Sequence, residues 1–280
     1  MNKKQRVICW FSCGCASAVA TKLTVEKYEN DKNIELVIAY IYIKNEHEDS
    51  HRFMLDCEKW FGYPVTIIKD EKYSSDVDEV IKKTKYMSGI YGAVCTKVLK
   101  KEVRFAMQRH DDIHVFGMTV EEKRRIDRLE DSEPDLFLEN PLIDNQITKN
   151  DCYKMVHHAG IELPVMYKLG YNNNNCIGCL KAGSPSYWNK IRKDFPEVFK
   201  VRANQEKLLN VSLCKMSKNK FMDKYPVEFK KMQDDHKNNL VNWVEDRNGG
   251  IRIPLRYLPV TPIKKSELEI GNCGFFCELK

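Results

Sequence analysis

Near the N-terminus, short unbroken apolar runs alternate with stretches in which apolar residues recur every three or four positions. The first run, Arg6 to Phe11 (Arg-Val-Ile-Cys-Trp-Phe), ends at Ser12-Cys13-Gly14-Cys15. Helical spacing then continues from Ala16 to Glu29 through Val19, Leu23 and Tyr28. This pattern predicts strand, tight loop and helix. Ile34 to Ile43 is β-branched and aromatic with few charges, as in a strand covered on both faces, and is expected at the centre of the sheet. A polar loop from Lys44 to Asp49 precedes a helix near His51 to Phe61, which Gly62 closes, and Tyr63 to Ile68 forms a third strand. An amphipathic helix from Cys95 to Arg109 leads to a fourth strand, Ile113 to Gly117.

Strands alternating with helices predict right-handed crossovers and an α/β fold: a doubly wound, open parallel sheet with helices on both faces. Ligands of such sheets sit beyond the carboxyl ends of the strands, so the loops after Phe11, Ile43 and Phe116 should converge. From Asn172 the pattern weakens. Four asparagines lead to Cys176-Ile177-Gly178-Cys179, then come lysine-rich helices to about Val244 and a tail bearing Gly and Pro. The chain is accordingly divided into an α/β domain over residues 1–170 and a Cys-rich, mostly helical C-terminal region over 171–280.

Composition narrows the class. With 42% hydrophobic and 31% charged residues, the 280-residue chain is an ordinary globular sequence that can bury a full core. Its 46 basic and 40 acidic residues give a formal charge of +6, spread along the chain, which favours an anionic ligand only gently. No apolar run is long enough for a membrane span and no cleavable leader pattern is seen, so a cytoplasmic location without membrane association is expected. Eleven cysteines in such a chain point to metal ligation or redox chemistry before disulfides.

A small-residue loop between a strand and a helix gathers free N–H groups at the positive helix end, which suits a phosphate or sulfate. Ser12, Gly14 and Ser17 supply that chemistry. At these residues the chain resembles the PP-loop proteins, which begin with a strand, a Ser-Gly-Gly-x-Asp-Ser loop and a helix. The phosphoadenosine phosphosulfate (PAPS) reductase branch is the more similar one, with Ser12-Cys13-Gly14 present and Ala16 where ATP-hydrolysing members carry aspartate. Asn45 to Phe61, Cys95-Thr96-Lys97-Val98-Leu99-Lys100 and Asn140-Pro141-Leu142 extend the resemblance over roughly residues 6 to 180. The block Gly117-Met118-Thr119-Val120-Glu121-Glu122-Lys123-Arg124-Arg125 departs from the family's Gly-x-Arg. The resemblance implies an adenine nucleotide (ATP, PAPS or APS) held by Ser12, Cys13, Gly14, Cys15, Ser17, Lys100, Gly117 and Arg125. Read without it, Lys97, Lys100, Arg124 and Arg125 are a solvated helix face.

Cys176 and Cys179 form a Cys-x-x-Cys pair whose turn Gly178 eases, so that both sulfurs can reach one soft metal. Two more ligands are required, with Cys95, Cys273 and Cys277 as candidates. By the resemblance, Cys95, Cys176, Cys179 and Cys277 would hold a [4Fe-4S] cluster; a zinc site of Cys176, Cys179, Cys273 and Cys277 is the alternative. Cys273-Gly274 resembles the mobile Cys-Gly segment of the reductases, whose thiolate attacks sulfur, so Cys273 is either a catalytic nucleophile or a metal ligand. Cys9, Cys57, Cys152 and Cys214 read as small buried hydrophobes. His157-His158 reads as a helix-end pair.

Two functions remain. One is an enzyme, either a PAPS reductase-like oxidoreductase working with a thioredoxin-like reductant or a sulfurtransferase acting on a nucleic-acid acceptor. The other is a non-catalytic nucleotide-binding or nucleic-acid-binding module with structural zinc. Trp188, Phe195, Phe199, Phe221 and Tyr225, interleaved with lysines between Ser186 and Lys237, either face a nucleic-acid backbone or form core. Compact relatives of this kind are often carried by phages, and a homo-oligomer is compatible with this reading.

Overall fold

The computed structural model describes residues 4–89 and 92–268. In chain order its first elements are β1 (Gln5–Trp10), α1 (Cys15–Tyr28), β2 (Ile34–Ile41), α2 (Asp49–Phe61) and β3 (Val65–Ile68). Next come α3 (Val77–Thr84), β4 (Ser88–Gly89), β5 (Gly92–Ala93) and α4 (Val94–Thr96). A π-helical turn, Lys97–Lys101, runs into α5 (Glu102–Met107), β6 (Ile113–Phe116), α6 (Lys123–Ser132), β7 (Phe137–Glu139), α7 (Pro141–Asp144), α8 (Lys149–His158) and α9 (Val165–Lys168). The rest is α10 (Pro185–Asp194), α11 (Pro196–Leu209), β8 (Cys214–Ser217), α12 (Lys218–Lys224), α13 (Pro226–Lys237) and β9 (Gly250–Ile253). No described helix is long and apolar enough to cross a membrane.

The chain groups into two compact units. Among the described residues, one comprises 4–75 with Leu99–Leu169; the other comprises Asp76–Val98 with 170–268. The segment Asp76–Val98 lies within residues 1–170 of the sequence-based division, yet it belongs to the second unit.

The first unit is a mixed α/β structure built on a five-stranded, wholly parallel sheet in the order β3-β2-β1-β6-β7, flanked by helices. β1, rather than β2, is central: it pairs with β2 through Val7 and Leu36 and with β6 through Val7 and Ile113. β2 is also interior, which is why its apolar run resembled a central strand. Alternation sends Val7, Cys9 and Phe11 to one face, where they pack with Val19, Phe53, Phe61 and Val156. That core rests on α1, which packs against α2, α7 and α8. On the other face, Trp10, His114 and Phe116 stack as a ladder, and the Trp10 indole donates to His114 Nδ1 at 3.0 Å. At the amino end of β1, Arg6 makes a buried two-point contact with Asp112, Nε to Oδ1 at 2.8 Å and Nη2 to Oδ2 at 2.6 Å.

The expected regular helix from Cys95 to Arg109 is interrupted. Val98, Leu99 and Lys100 are buried in succession, which an α-helix turning about 100° per residue cannot achieve on one face. The π-turn accommodates the extra residue. β7 extends the sheet beyond the four strands that the pattern showed, and its Phe137 is exposed.

In the second unit, β8 and β9 pair antiparallel, with Cys214 opposite Ile253. Met216, Phe221, Met232, Ile251 and Tyr257 form its core. Lysines are prominent here because the helices are amphipathic, not because the aromatics face outward: Trp188, Phe199 and Phe221 are buried.

Candidate functional site

β1 delivers the chain into a turn that the hydroxyls of two serines close. Ser17 Oγ donates to the Gly14 carbonyl at 2.9 Å and accepts the Ser12 amide N–H at 3.1 Å, and Ser12 Oγ lies 3.1 Å from it. Gly14 is the N-cap of α1 and contributes no capping side chain, and the first turn of α1 holds no acidic residue. The first-turn N–H groups, which a helix leaves without intrahelical acceptors, therefore meet no carboxylate from their own turn.

The strained residue of this turn is Cys13, not Gly14. Cys13 has φ +54, in the left-handed region that non-glycine residues enter at a cost, whereas Gly14 has φ −104 and ψ 156. A Cβ placed on Gly14 would come no closer than 3.4 Å, to the Tyr167 hydroxyl. Gly117 is the demanding glycine. A Cβ there would stand 2.3 Å from Ser17 Cα, 2.4 Å from Ser17 N and 2.8 Å from the Ala16 carbonyl carbon. The backbone after β6 thus lies directly on the first turn of α1, and only glycine permits it.

The loop after β2 reaches the same place. Tyr40 Oη donates to Glu46 Oε2 at 2.7 Å, and Tyr40, Glu46 and Lys100 all bear on the Cys13 thiol. Burial pushes that thiol well above its ordinary range, and burial pushes Cys15 up to about 12. Both side chains belong to the hydrophobic core, so neither is placed to act as a thiolate. Lys100 is 8% exposed, held on the π-turn. Arg125 pairs with Glu122, whose carboxylate also accepts the Thr119 N–H at 3.4 Å in a capping box. Thus Ser12, Gly14, Ser17 and Gly117 are packed together at one point, Lys100 bears on the buried Cys13 side of the turn, and Arg125 is already engaged in an ion pair.

In the second unit the Cys-x-x-Cys turn is rigidly built. Gly178 has φ +68, and a Cβ on it would lie 2.7 Å from Val198 Cγ1. The Cys179 N–H donates to Tyr187 Oη at 2.9 Å, and the Gly178 carbonyl accepts from Arg202 Nε at 3.1 Å. Cys176 and Cys179 are buried, and Cys95, in the same unit, is half-buried. Among the described residues no group of three or more His, Cys, Asp and Glu stands at metal-binding spacing. Cys273 and Cys277 lie outside the described residues. The Asn175 side-chain Nδ2, next in the chain to Cys176, is buried with no hydrogen-bond partner among the described residues. Two buried thiols in one turn with an unsatisfied donor beside them fit half of a thiolate centre.

Sequence reasoning missed Tyr187 and Arg202 as supports of this turn, because an aromatic and a basic residue on helices read as core and solvated surface. It placed Cys9, Cys57, Cys152 and Cys214 in the interior, where all four are found. His157 and His158 occupy the last turn of α8.

No family model matches the chain, and no curated protein matches it. Among solved structures the chain is similar to the "U34-tRNA thiolase NcsA from Methanococcus maripaludis with its [4Fe-4S] cluster". The TM-score is 0.42 and the sequence identity 17%, over 75% of this chain and 68% of that one. At these values the likeness transfers no residue role to this chain.

Proposed function

We propose that the chain is a PP-loop-type enzyme that binds an adenine nucleotide in the Ser12–Ser17 turn and carries out cysteine-dependent sulfur chemistry. The observation that carries this reading is the turn itself. It lies at the carboxyl end of the central parallel strand, it opens onto a helix N-terminus with no first-turn acid, and the Gly117 backbone lies against it. Ser12 and Ser17 fix the turn's shape before any ligand arrives, so donors do not reorganise on binding. Ala16, in place of the family's aspartate, removes a carboxylate from the anion's vicinity.

Cys176 and Cys179 would hold zinc with Cys273 and Cys277; a [4Fe-4S] cluster held with Cys95 and Cys277 would need Cys95 to close on that turn, since these three described thiols do not stand at metal-binding spacing. A bound cluster would supply electrons or a sulfur-binding metal. The chain's own part is to hold the thiols in one turn and exclude water from them. In the reductase form of the reading, the Cys273 thiolate displaces adenosine bisphosphate from the sulfate sulfur of PAPS. The resulting thiosulfonate then loses sulfite to a thioredoxin-like dithiol, which is oxidised. In the transfer form, the acceptor oxygen of a nucleic acid attacks the ATP α-phosphorus and releases pyrophosphate, and sulfide-level sulfur from an external donor then displaces AMP from the activated carbon.

The test uses protein purified without oxygen and assayed two ways: sulfite release from PAPS with thioredoxin, and ATP-dependent incorporation of labelled sulfur into RNA or DNA. Turnover in either assay, lost in Ser17→Ala, supports the reading. No turnover in both, with no nucleotide bound, overturns it.

A further inference from the structure

We infer that Arg202 is a positioning residue for the proposed thiolate centre, tying the Cys176–Cys179 turn and the segment that bears Cys95 to one buried guanidinium. This rests on the reading of Cys176 and Cys179 as metal ligands.

Arg202, on α11, is 2% exposed. Its Nε donates to the Gly178 carbonyl at 3.1 Å, inside the Cys-x-x-Cys turn. Its Nη1 donates to Asp78 Oδ1 and, at 2.8 Å, to Gln205 Oε1. Gln205 Nε2 donates to the same Asp78 oxygen at 2.7 Å. Asp78 lies in the first turn of α3, α3 packs on α4, and α4 contains Cys95. One side chain therefore joins two cysteine-bearing segments, and the more distant partner, Asp78, lies 124 residues from it in sequence.

A guanidinium is costly to bury unless its hydrogens are matched to acceptors. A helix that needed only to pack would carry an apolar residue at this position. Arginine donates along fixed directions from a planar fork, which lysine cannot do, so it sets geometry as well as charge. The turn is pinned from both sides, its carbonyl by Arg202 and its Cys179 N–H by Tyr187. Removing such a support around a metal centre lowers affinity by about 10- to 100-fold.

The experiment titrates the full-length, reduced, metal-free chain with Co(II) and reads the thiolate-to-cobalt charge-transfer band. Arg202→Gln and Arg202→Lys should both weaken binding by about tenfold or more and shift the band at saturation, while far-UV circular dichroism is unchanged. Asp78→Asn, at a side chain 40% exposed, should weaken binding in the same direction and keep the test open if the Arg202 variants fail to fold. If wild type gives the band and the folded variants bind Co(II) as tightly with the same spectrum, Arg202 has no positioning role, although the metal reading survives. If wild type gives no band, the metal reading falls and this inference falls with it.

Discussion

Replacing Gly117 with alanine tests the geometry of the turn at one atom. The added Cβ would stand 2.3 Å from Ser17 Cα and 2.4 Å from Ser17 N, against an ordinary contact of 3.4–4 Å. The loop after β6 and the first turn of α1 must then separate by about 1 Å, and both partners are backbone, so no side chain can swing aside. Overpacking of this kind costs about 1–3 kcal/mol. For a unit of this size that lowers Tm by about 4–10 °C. The same displacement moves the first-turn N–H groups away from a bound anion, and losing one or two charge-assisted hydrogen bonds, at about 1.5–3 kcal/mol each, weakens nucleotide binding by at least tenfold. Gly14→Ala is the matched comparison: its Cβ would meet the Tyr167 hydroxyl at 3.4 Å and Ser12 Oγ at 3.8 Å, so it should cost about 1 kcal/mol or less, chiefly the lost N-cap preference. Thermal melts by circular dichroism and titration calorimetry with ATP and with PAPS read both effects. Gly117→Ala with wild-type Tm and wild-type affinity would refute the packing argument.

Other expectations follow from the same structure. Burial lowers His114 from 6.5 to about 4, and its Nδ1 accepts from Trp10, so it is neutral in the folded chain at pH 7. Its contribution is intact above pH 6.5 and is lost as pH falls toward 4, by about 3 kcal/mol; urea denaturation at pH 7 and 4.5 should show that loss, and His114→Gln should flatten it. In the second unit, burial raises Glu206 to about 8, while its two oxygens accept the Leu213 and Leu255 N–H groups at 2.6 and 2.5 Å. A carboxyl raised in this way contributes most below pH 4.5 and loses that contribution as pH rises toward 8, so the second unit should weaken with alkali and the first with acid, resolved by amide exchange at the two pH values. Cys13→Val keeps the side chain apolar but adds a methyl group at a buried site and places a β-branched residue at φ +54; it should cost about 3 kcal/mol in chemical denaturation, whereas Cys13→Gly, which relieves the strain, should fall within about 1 kcal/mol of wild type.

What the sequence disclosed and what it concealed divide along physical lines. β1, β2 and β6 were visible because buried parallel strands have no polar alternation to dilute their apolar runs, and Gly62 marked the end of α2 because a left-handed cap favours glycine. β7 was hidden because a three-residue edge strand with an exposed Phe137 has too few positions to show a pattern. The Ser12–Ser17 turn could be located from sequence, but not its internal assignment. The glycine that a motif comparison emphasises tolerates a side chain, while Gly117, some hundred residues on, does not, because its constraint comes from a partner segment. Arg202 was illegible for the same reason. A charged residue on a helix reads as surface unless its acceptors, Gly178 and Asp78, are known to meet it.

The turn opening α1 is proposed to receive an anionic adenine nucleotide. Equilibrium dialysis of the full-length chain with labelled ATP and labelled PAPS, at low and moderate salt and alongside Ser12→Ala and Ser17→Ala, tests it most directly. Saturable binding of one of the two is expected at a single site per chain, weakened at least tenfold by Ser17→Ala. No saturable binding of either nucleotide, or binding that both serine variants leave unchanged, would contradict this proposal.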